Sequence, residues 1–203
     1  MIMHPGFILI LVGIIACLAP KAIRKFVLAL GPLAAVGAAL VLPLGAQSSF
    51  TFVEGMTLNY LYVDKLSWIF TFIFSVLALV SGIYAAHNEN RMEALCSMAY
   101  AGCGISVTLC RDWISFIFFW EALAVTSVFL VWENRSNPES RSAGFRYLLV
   151  HMLGGNLLLA GIFLTVSAGN WNIANLQNGP HDYAYWLILI GMCVNVAMPP
   201  VNA

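Results

Sequence analysis

The chain has 203 residues, of which 61% are apolar and 9% charged, against roughly 25% charged in soluble domains. So many apolar side chains cannot be hidden inside a water-soluble globule of this length. Nine basic residues balance nine acidic ones, which excludes a nucleic-acid partner recruited by basic excess and an acidic disordered tail; a bilayer-embedded domain fits.

A helix rises about 1.5 Å per residue and needs about 20 apolar residues to cross a bilayer. The first apolar run, Ile2–Ala19, imitates the core of a secretory leader. No Lys or Arg precedes it, however, and Lys21, Arg24 and Lys25 follow, the reverse of a leader. It reads as a retained first span entering from outside. The second run is Phe26–Leu44, interrupted by Pro32. Gly45–Asp64 follows, with Phe50, Phe52, Leu58, Tyr60 and Tyr62 all at even positions. That period-two pattern predicts an extended or hairpin-like segment at the membrane surface. The remaining runs are Leu66–Ala86, Ala94–Cys110, Trp113–Trp132, Tyr147–Ala168 and Ala184–Val201. Asn170–His181, with Gly179 and Pro180, predicts an interfacial loop holding one helical turn.

These runs predict an all-α, polytopic transmembrane bundle of about seven spanning helices, because lipid offers the backbone no hydrogen-bond partners. Seven basic residues (Lys21, Arg24, Lys25, Arg91, Arg135, Arg141, Arg146) then fall on one side and two (Lys65, Arg111) on the other. The excess marks the cytoplasmic side and puts the N-terminus outside. The expected location is the cell (inner) membrane. Small residues, Gly102 and Gly104, then Gly154 and Gly155, mark helix contacts. Pro199 and Pro200 can break the seventh helix; broken helices often line ion paths, and ordinary kinks are the other reading.

Glu121 is the residue out of place. Asp112 and Glu133 lie nine and twelve residues away, roughly 13 and 18 Å along a helix, so both can sit at interfaces while Glu121 sits near mid-membrane. An acid there costs a few kcal/mol by insertion scales and needs a partner, water or a proton. Two readings are open: a proton-relay carboxylate, or a protonated Glu bonding a neighbouring helix. His151 either changes charge near neutral pH or bonds between helices. Asn195 either binds water or a cation, or bonds across helices. Ser106, Thr108, Thr126 and Ser127 either support a water chain or bond their own helices. Asn156, in the sixth span with His151, and Asp112 are also read as supporting polar groups of the site. Asp64, Lys65, Arg111 and Asp112 read as interfacial anchors.

The five cysteines, Cys17, Cys96, Cys103, Cys110 and Cys193, form no metal-type cluster and read as apolar fillers. The sequence has no GxGxxG, P-loop, HExxH or GxSxG, so neither cofactor, metal nor catalytic chemistry is expected in this chain.

The run Phe118-Phe119-Trp120-Glu121, with Asp112 nine residues before Glu121, resembles the fifth helix of the antiporter-like membrane subunits. That family includes the A-type and D-type members of the Mrp cation/proton antiporters. It also includes the proton-pumping L, M and N chains of respiratory complex I and their membrane-hydrogenase counterparts. Tyr62-Val63-Asp64-Lys65-Leu66-Ser67 resembles its entry to the third helix, and Arg146-Tyr147-Leu148-Leu149 the start of its sixth. Asn195 to Asn202 lies where the family has a seventh-helix motif. The resemblance implies residues 1–86 as an N-terminal three-helix region, with its exterior hairpin-like segment at 45–64. It makes residues 87–203 the first part of a proton-translocating repeat, ending within that repeat. It implies that Glu121 exchanges protons within a multi-subunit complex in the lipid bilayer, with protons and Na+ as the ions. In the family this Glu pairs with a Lys on the broken seventh helix; here Asn195 stands at that position, and His151 is a possible substitute. A D-type Mrp antiporter component is the leading expectation. A complex I-like (NADH-quinone oxidoreductase) or hydrogenase pumping component and a non-conducting structural one are the alternatives.

Overall fold

The computed structural model describes residues 3–53, 56–87, 90–133, 137–176 and 179–198. Among the described residues seven α-helices follow in chain order: α1 Pro5–Leu18, α2 Lys21–Val41, α3 Lys65–Ala85, α4 Arg91–Leu109, α5 Trp113–Glu133, α6 Ser140–Ser167 and α7 Tyr183–Asn195. Five of them, α2 to α6, are long and apolar enough to cross a membrane. The other two expected spans are shorter: α1 has 14 residues and α7 has 13, about 20 Å each, against a hydrocarbon core of about 30 Å. Ile2 and Val201, which the hydropathy pattern assigns to those two spans, lie outside the described residues, as do Arg135, Pro199 and Pro200.

The even-numbered aromatics do mark a hairpin. Strand β1, Gln47–Val53, pairs antiparallel with β2, Met56–Tyr62, in a register that matches Gln47 to Tyr62 and Thr51 to Thr57. The fold is thus mostly rather than wholly α. The hairpin, the α4–α5 junction and the α6–α7 loop meet at one end of the bundle. There Arg111 N–H donates to Asn59 O (3.0 Å), Trp113 N–H to Trp171 O (3.1 Å) and Ile173 N–H to Arg111 O (3.0 Å). The Arg111 guanidinium lies 3.7 Å from the Tyr62 ring centroid. A single 3-10 turn, Ile173–Leu176, occupies the loop where one helical turn was expected.

Local chemistry sets the helix starts. Asp64 caps α3 in a reciprocal box: its carboxylate accepts from Ser67 N–H (2.7 Å) while Ser67 Oγ accepts from Asp64 N–H (2.9 Å). At the head of α5, buried Asp112 accepts from Ser115 N–H (2.8 Å), Ser115 Oγ (2.7 Å) and, across to the hairpin, Asn59 N–H (2.6 Å). Asp64 and Asp112 thus hold the starts of α3 and α5. Pro32 is carried inside α2 without ending it.

Helix α2 starts five residues before the hydropathy reading, at Lys21 rather than Phe26, and the largest differences are at α6 and α7. Helix α6 begins at Ser140, seven residues before Tyr147. Its first two turns are polar, and they are held by Ser140 Oγ donating to Val131 O and by Gly144 lying under the Trp132 indole. His151 is consequently about 17 Å into the helix rather than one turn from its start. Helix α7 ends at Asn195, six residues short of Val201. Met198 N–H donates to Cys193 O (3.0 Å) and Ala197 N–H to Val194 O (3.1 Å), the paired reversal of a Schellman stop. Ala197 takes the left-handed position, at φ 52°, where glycine is the usual residue.

Two apolar cores fill the bundle. One gathers Leu9, Leu28, Met98, Ile105 and Leu109 from α1, α2 and α4, with Leu61 of β2 and Val63 just after it. The other gathers Trp113, Phe116, Leu158, Ile162 and Ile188 from α5, α6 and α7. In this second half α6 and α7 nearly touch, since a Cβ on Gly191 would meet Leu158 N at 2.6 Å and Gly154 O at 2.8 Å. Only glycine permits such an approach.

Candidate functional site: a polar junction of α5, α6 and α7

Close packing of α6 on α7 delivers Asn195, one turn beyond Gly191, onto Gly154. With its amide in the orientation the hydrogen bonds select, Asn195 Nδ2–H donates to the His151 carbonyl (3.1 Å). Its Oδ1 accepts from Trp120 Nε1–H (3.0 Å). One side chain at the end of α7 thereby ties α5, α6 and α7 together. Glu121 is the next residue on α5, and its carboxylate lies over Gly155, where an added Cβ would meet Oε1 at 2.7 Å. Gly154 and Gly155 are thus the two seats on α6, one for Asn195 and one for Glu121.

Glu121 is the ninth of the 21 residues of α5, about 12 Å from one end and 18 Å from the other, as its spacing predicted. On the described chain Glu121 is exposed. It falls on the stripe of Phe118, Val125 and Phe129, all exposed, while Phe116, Phe119, Ala124 and Val128 face inward. No hydrogen bond or ion pair to its carboxylate is formed among the described residues.

His151 is buried, at 6% exposure, and its Nε2 has no hydrogen-bond partner among the described residues. Its ring stacks on Tyr147 with centroids 5.8 Å apart; its backbone, not its ring, meets Asn195. Its place four residues before Gly155 puts it on the face of α6 that carries the carboxylate seat, one turn away.

The other candidates lie elsewhere. Asn156 is exposed. Ser106 is fully buried, donates to Gly102 O (2.9 Å) and faces Gly6 of α1. Thr126 bonds Ala122 O and Leu123 O (2.9 Å each), and Thr108 bonds Ile105 O (2.7 Å), the back-bonded alternative. Asp112 is engaged at the hairpin end. Sequence reasoning missed Trp120 as the donor to Asn195 and Tyr147 as the stacking partner of His151. The four-residue step from Tyr147 to His151 to Gly155 was the available signal. Among the described residues no group of three or more His, Cys, Asp or Glu is placed to hold a metal ion.

Residues 110–203 match the family model described as NADH:quinone oxidoreductase/Mrp antiporter, transmembrane. The fold is similar to a chain of respiratory complex I from Thermus thermophilus with bound NADH (TM-score 0.78, 17% identity, 97% of this chain and 43% of that one). It is also similar to a chain of the Mrp complex from Dietzia sp. DQ12-45-1b (TM-score 0.77, 19% identity, 95% and 23%). A third likeness is to the membrane-bound sulfane sulfur reductase, an archaeal respiratory membrane complex (TM-score 0.72, 21% identity, 94% and 33%).

The matched segment, residues 110–203, is similar to that family's transmembrane region, the fold is similar to chains of these membrane complexes, and the chain is a multi-pass membrane protein. Two uncharacterized proteins of Mycobacterium tuberculosis, from strains CDC 1551 and H37Rv, are each 27% identical to it over 93 residues, 44% of this chain and 14% of theirs. The chain therefore spans less than half the length of each of these proteins.

Proposed function

We propose that this chain forms part of a D-type component of a multi-subunit monovalent cation/proton antiporter of the Mrp kind, in which Glu121 carries the proton. The observation that carries this reading is the seat of the Glu121 carboxylate on Gly155, halfway along α5 and beside the stop of α7. A carboxylate at mid-membrane is costly when charged, and protein or lipid over the α5 stripe completes its desolvation. Charge is then loaded as a proton and released when a polar path opens. His151, one turn before Gly155 on α6, is the group to exchange with it. Asn195 has no charge to offer and serves by holding the α7 stop against Trp120 and His151. The N-terminus and hairpin face outward by the distribution of basic residues. The partners are other membrane subunits, and protons exchange for Na+.

A proton-pumping component of a complex I-like NADH–quinone oxidoreductase or membrane hydrogenase is the second reading, supported by the equal likeness of the fold to complex I. A non-conducting structural component is the third, favoured by an amide at the family's lysine position. Everted vesicles carrying the native assembly, with Glu121→Gln at wild-type abundance, test all three. Loss of Na+-induced collapse of a preformed pH gradient supports antiport. Loss of NADH- or hydrogen-driven acidification alone supports the pump. Unchanged transport in both assays supports the scaffold and removes Glu121 from the mechanism.

A further inference from the structure

Helices α5 and α6 share a second polar contact, farther toward their basic end. Ser127 Oγ lies 2.9 Å from Tyr147 Oη. Ser127 Oγ also donates to Ala124 O at 2.6 Å. A serine hydroxyl has one hydrogen, so in this arrangement Tyr147 donates to Ser127. Rotation of the serine hydroxyl reverses the bond, and the pair has two hydrogen arrangements of opposite direction. Tyr147 then stacks on His151, and His151 lies one turn before Gly155, the seat of Glu121. Ser127 is six residues beyond Glu121 on α5, about 9 Å, so one row runs Ser127, Tyr147, His151, Glu121 along the α5–α6 seam. It leads toward the end of the bundle that holds Arg141 and Arg146. Buried His151 Nε2, unpartnered among the described residues, is the acceptor or donor to which such a row would lead.

We infer that Ser127 and Tyr147 form the proton path between Glu121 and the basic end of the bundle. The inference rests on Glu121 carrying the proton. From the arrangement in which Ser127 donates to Tyr147, a proton arriving at Ser127 Oγ lets that hydroxyl pass its own hydrogen to Tyr147 Oη. Tyr147 passes its former hydrogen on to His151 Nε2, and the imidazolium passes that proton to the ionised Glu121 carboxylate. Each hydroxyl ends with one hydrogen, the imidazole ends neutral, and rotation of the hydroxyls restores the starting arrangement. In the reverse direction the same bonds form and break in the opposite order.

The test measures proton flux per assembled complex in vesicles carrying the native assembly, in H2O and D2O, for Tyr147→Phe, Ser127→Ala and Ser127→Thr, with Glu121→Gln as reference. Tyr147→Phe keeps the ring that stacks on His151 and removes only the hydroxyl. Flux should fall about tenfold in Tyr147→Phe and Ser127→Ala, less than the roughly hundredfold usual for a direct proton donor, because water can bridge one missing hydroxyl. The solvent isotope effect should rise in both, and Ser127→Thr should restore the flux. A flux unchanged by both variants, or lowered with the wild-type isotope effect, overturns the path. If Glu121→Gln is inactive in that case, the Glu121 reading stands and only the path falls. If Glu121→Gln transports at the full rate, both fall.

Discussion

Adding one methyl group at Gly155 separates the carboxylate's position from the stability of the fold. In Gly155→Ala the new Cβ would meet Glu121 Oε1 at 2.7 Å, and ordinary contact begins at 3.4 Å, so the carboxylate must retreat by about 0.7 Å. The atom that yields is the tip of an exposed, flexible side chain, and the remaining contacts, Cδ at 3.6 Å and Oε2 at 3.7 Å, already have room. Replacing a helical glycine by alanine gains about 1 kcal/mol of helix propensity, so stability should hold or rise slightly. Misplacing a reacting group by about 1 Å can cost on the order of 100-fold in rate, and proton flux should fall at least about tenfold. Gly191→Ala is the contrast. Its Cβ would meet the Leu158 and Gly154 backbones, which cannot yield without parting α6 from α7, at a cost of about 1–3 kcal/mol. Thermal unfolding in detergent and dye-monitored flux in vesicles read the two effects separately. Full flux in Gly155→Ala, with the variant folded and assembled, would refute the claim that this seat positions the proton carrier.

Asn195→Ala removes both hydrogen bonds that join α7 to Trp120 and His151. It should cost about 1–3 kcal/mol in thermal stability, and Asn195→Gln should also lower it, because Gly154 leaves no room for a longer arm. Asp112→Ala strips a buried carboxylate from three donors. A loss of about 3 kcal/mol should appear as faster hydrogen exchange in residues 47–62, with proton flux per folded molecule unchanged. Ala197→Gly relieves a left-handed residue at the α7 stop and should raise stability by about 1 kcal/mol, measured as an upward shift of the unfolding transition.

Helices α2 to α5 were legible because lipid demands unbroken apolar runs, and the hairpin because its aromatics alternate. The ends of α6 and α7 were not. Hydropathy registers the apolar zone, while Ser140–Arg146 continues the helix through polar residues, and the α7 stop is a backbone device centred on Ala197 that carries no glycine signal. Glu121 was legible from its distance to Asp112 and Glu133, but its side of the helix was not, because the α5 face around it is apolar both inward and outward. Ser106 and Asp112 read as polar groups near the site; tertiary packing assigns one to α1 and the other to the hairpin. The bond from Trp120 to Asn195 joins residues 75 positions apart in chain order, and no local pattern announces it.

Covalent blockage of Glu121 addresses the main claim at the atom concerned. Dicyclohexylcarbodiimide attacks protonated carboxyl groups in apolar surroundings, and peptide mass analysis of the assembled complex gives the fraction of Glu121 modified. Proton flux should fall in direct proportion to that fraction and vanish at complete modification. Flux that persists when Glu121 is fully modified would show that the proton travels by another route.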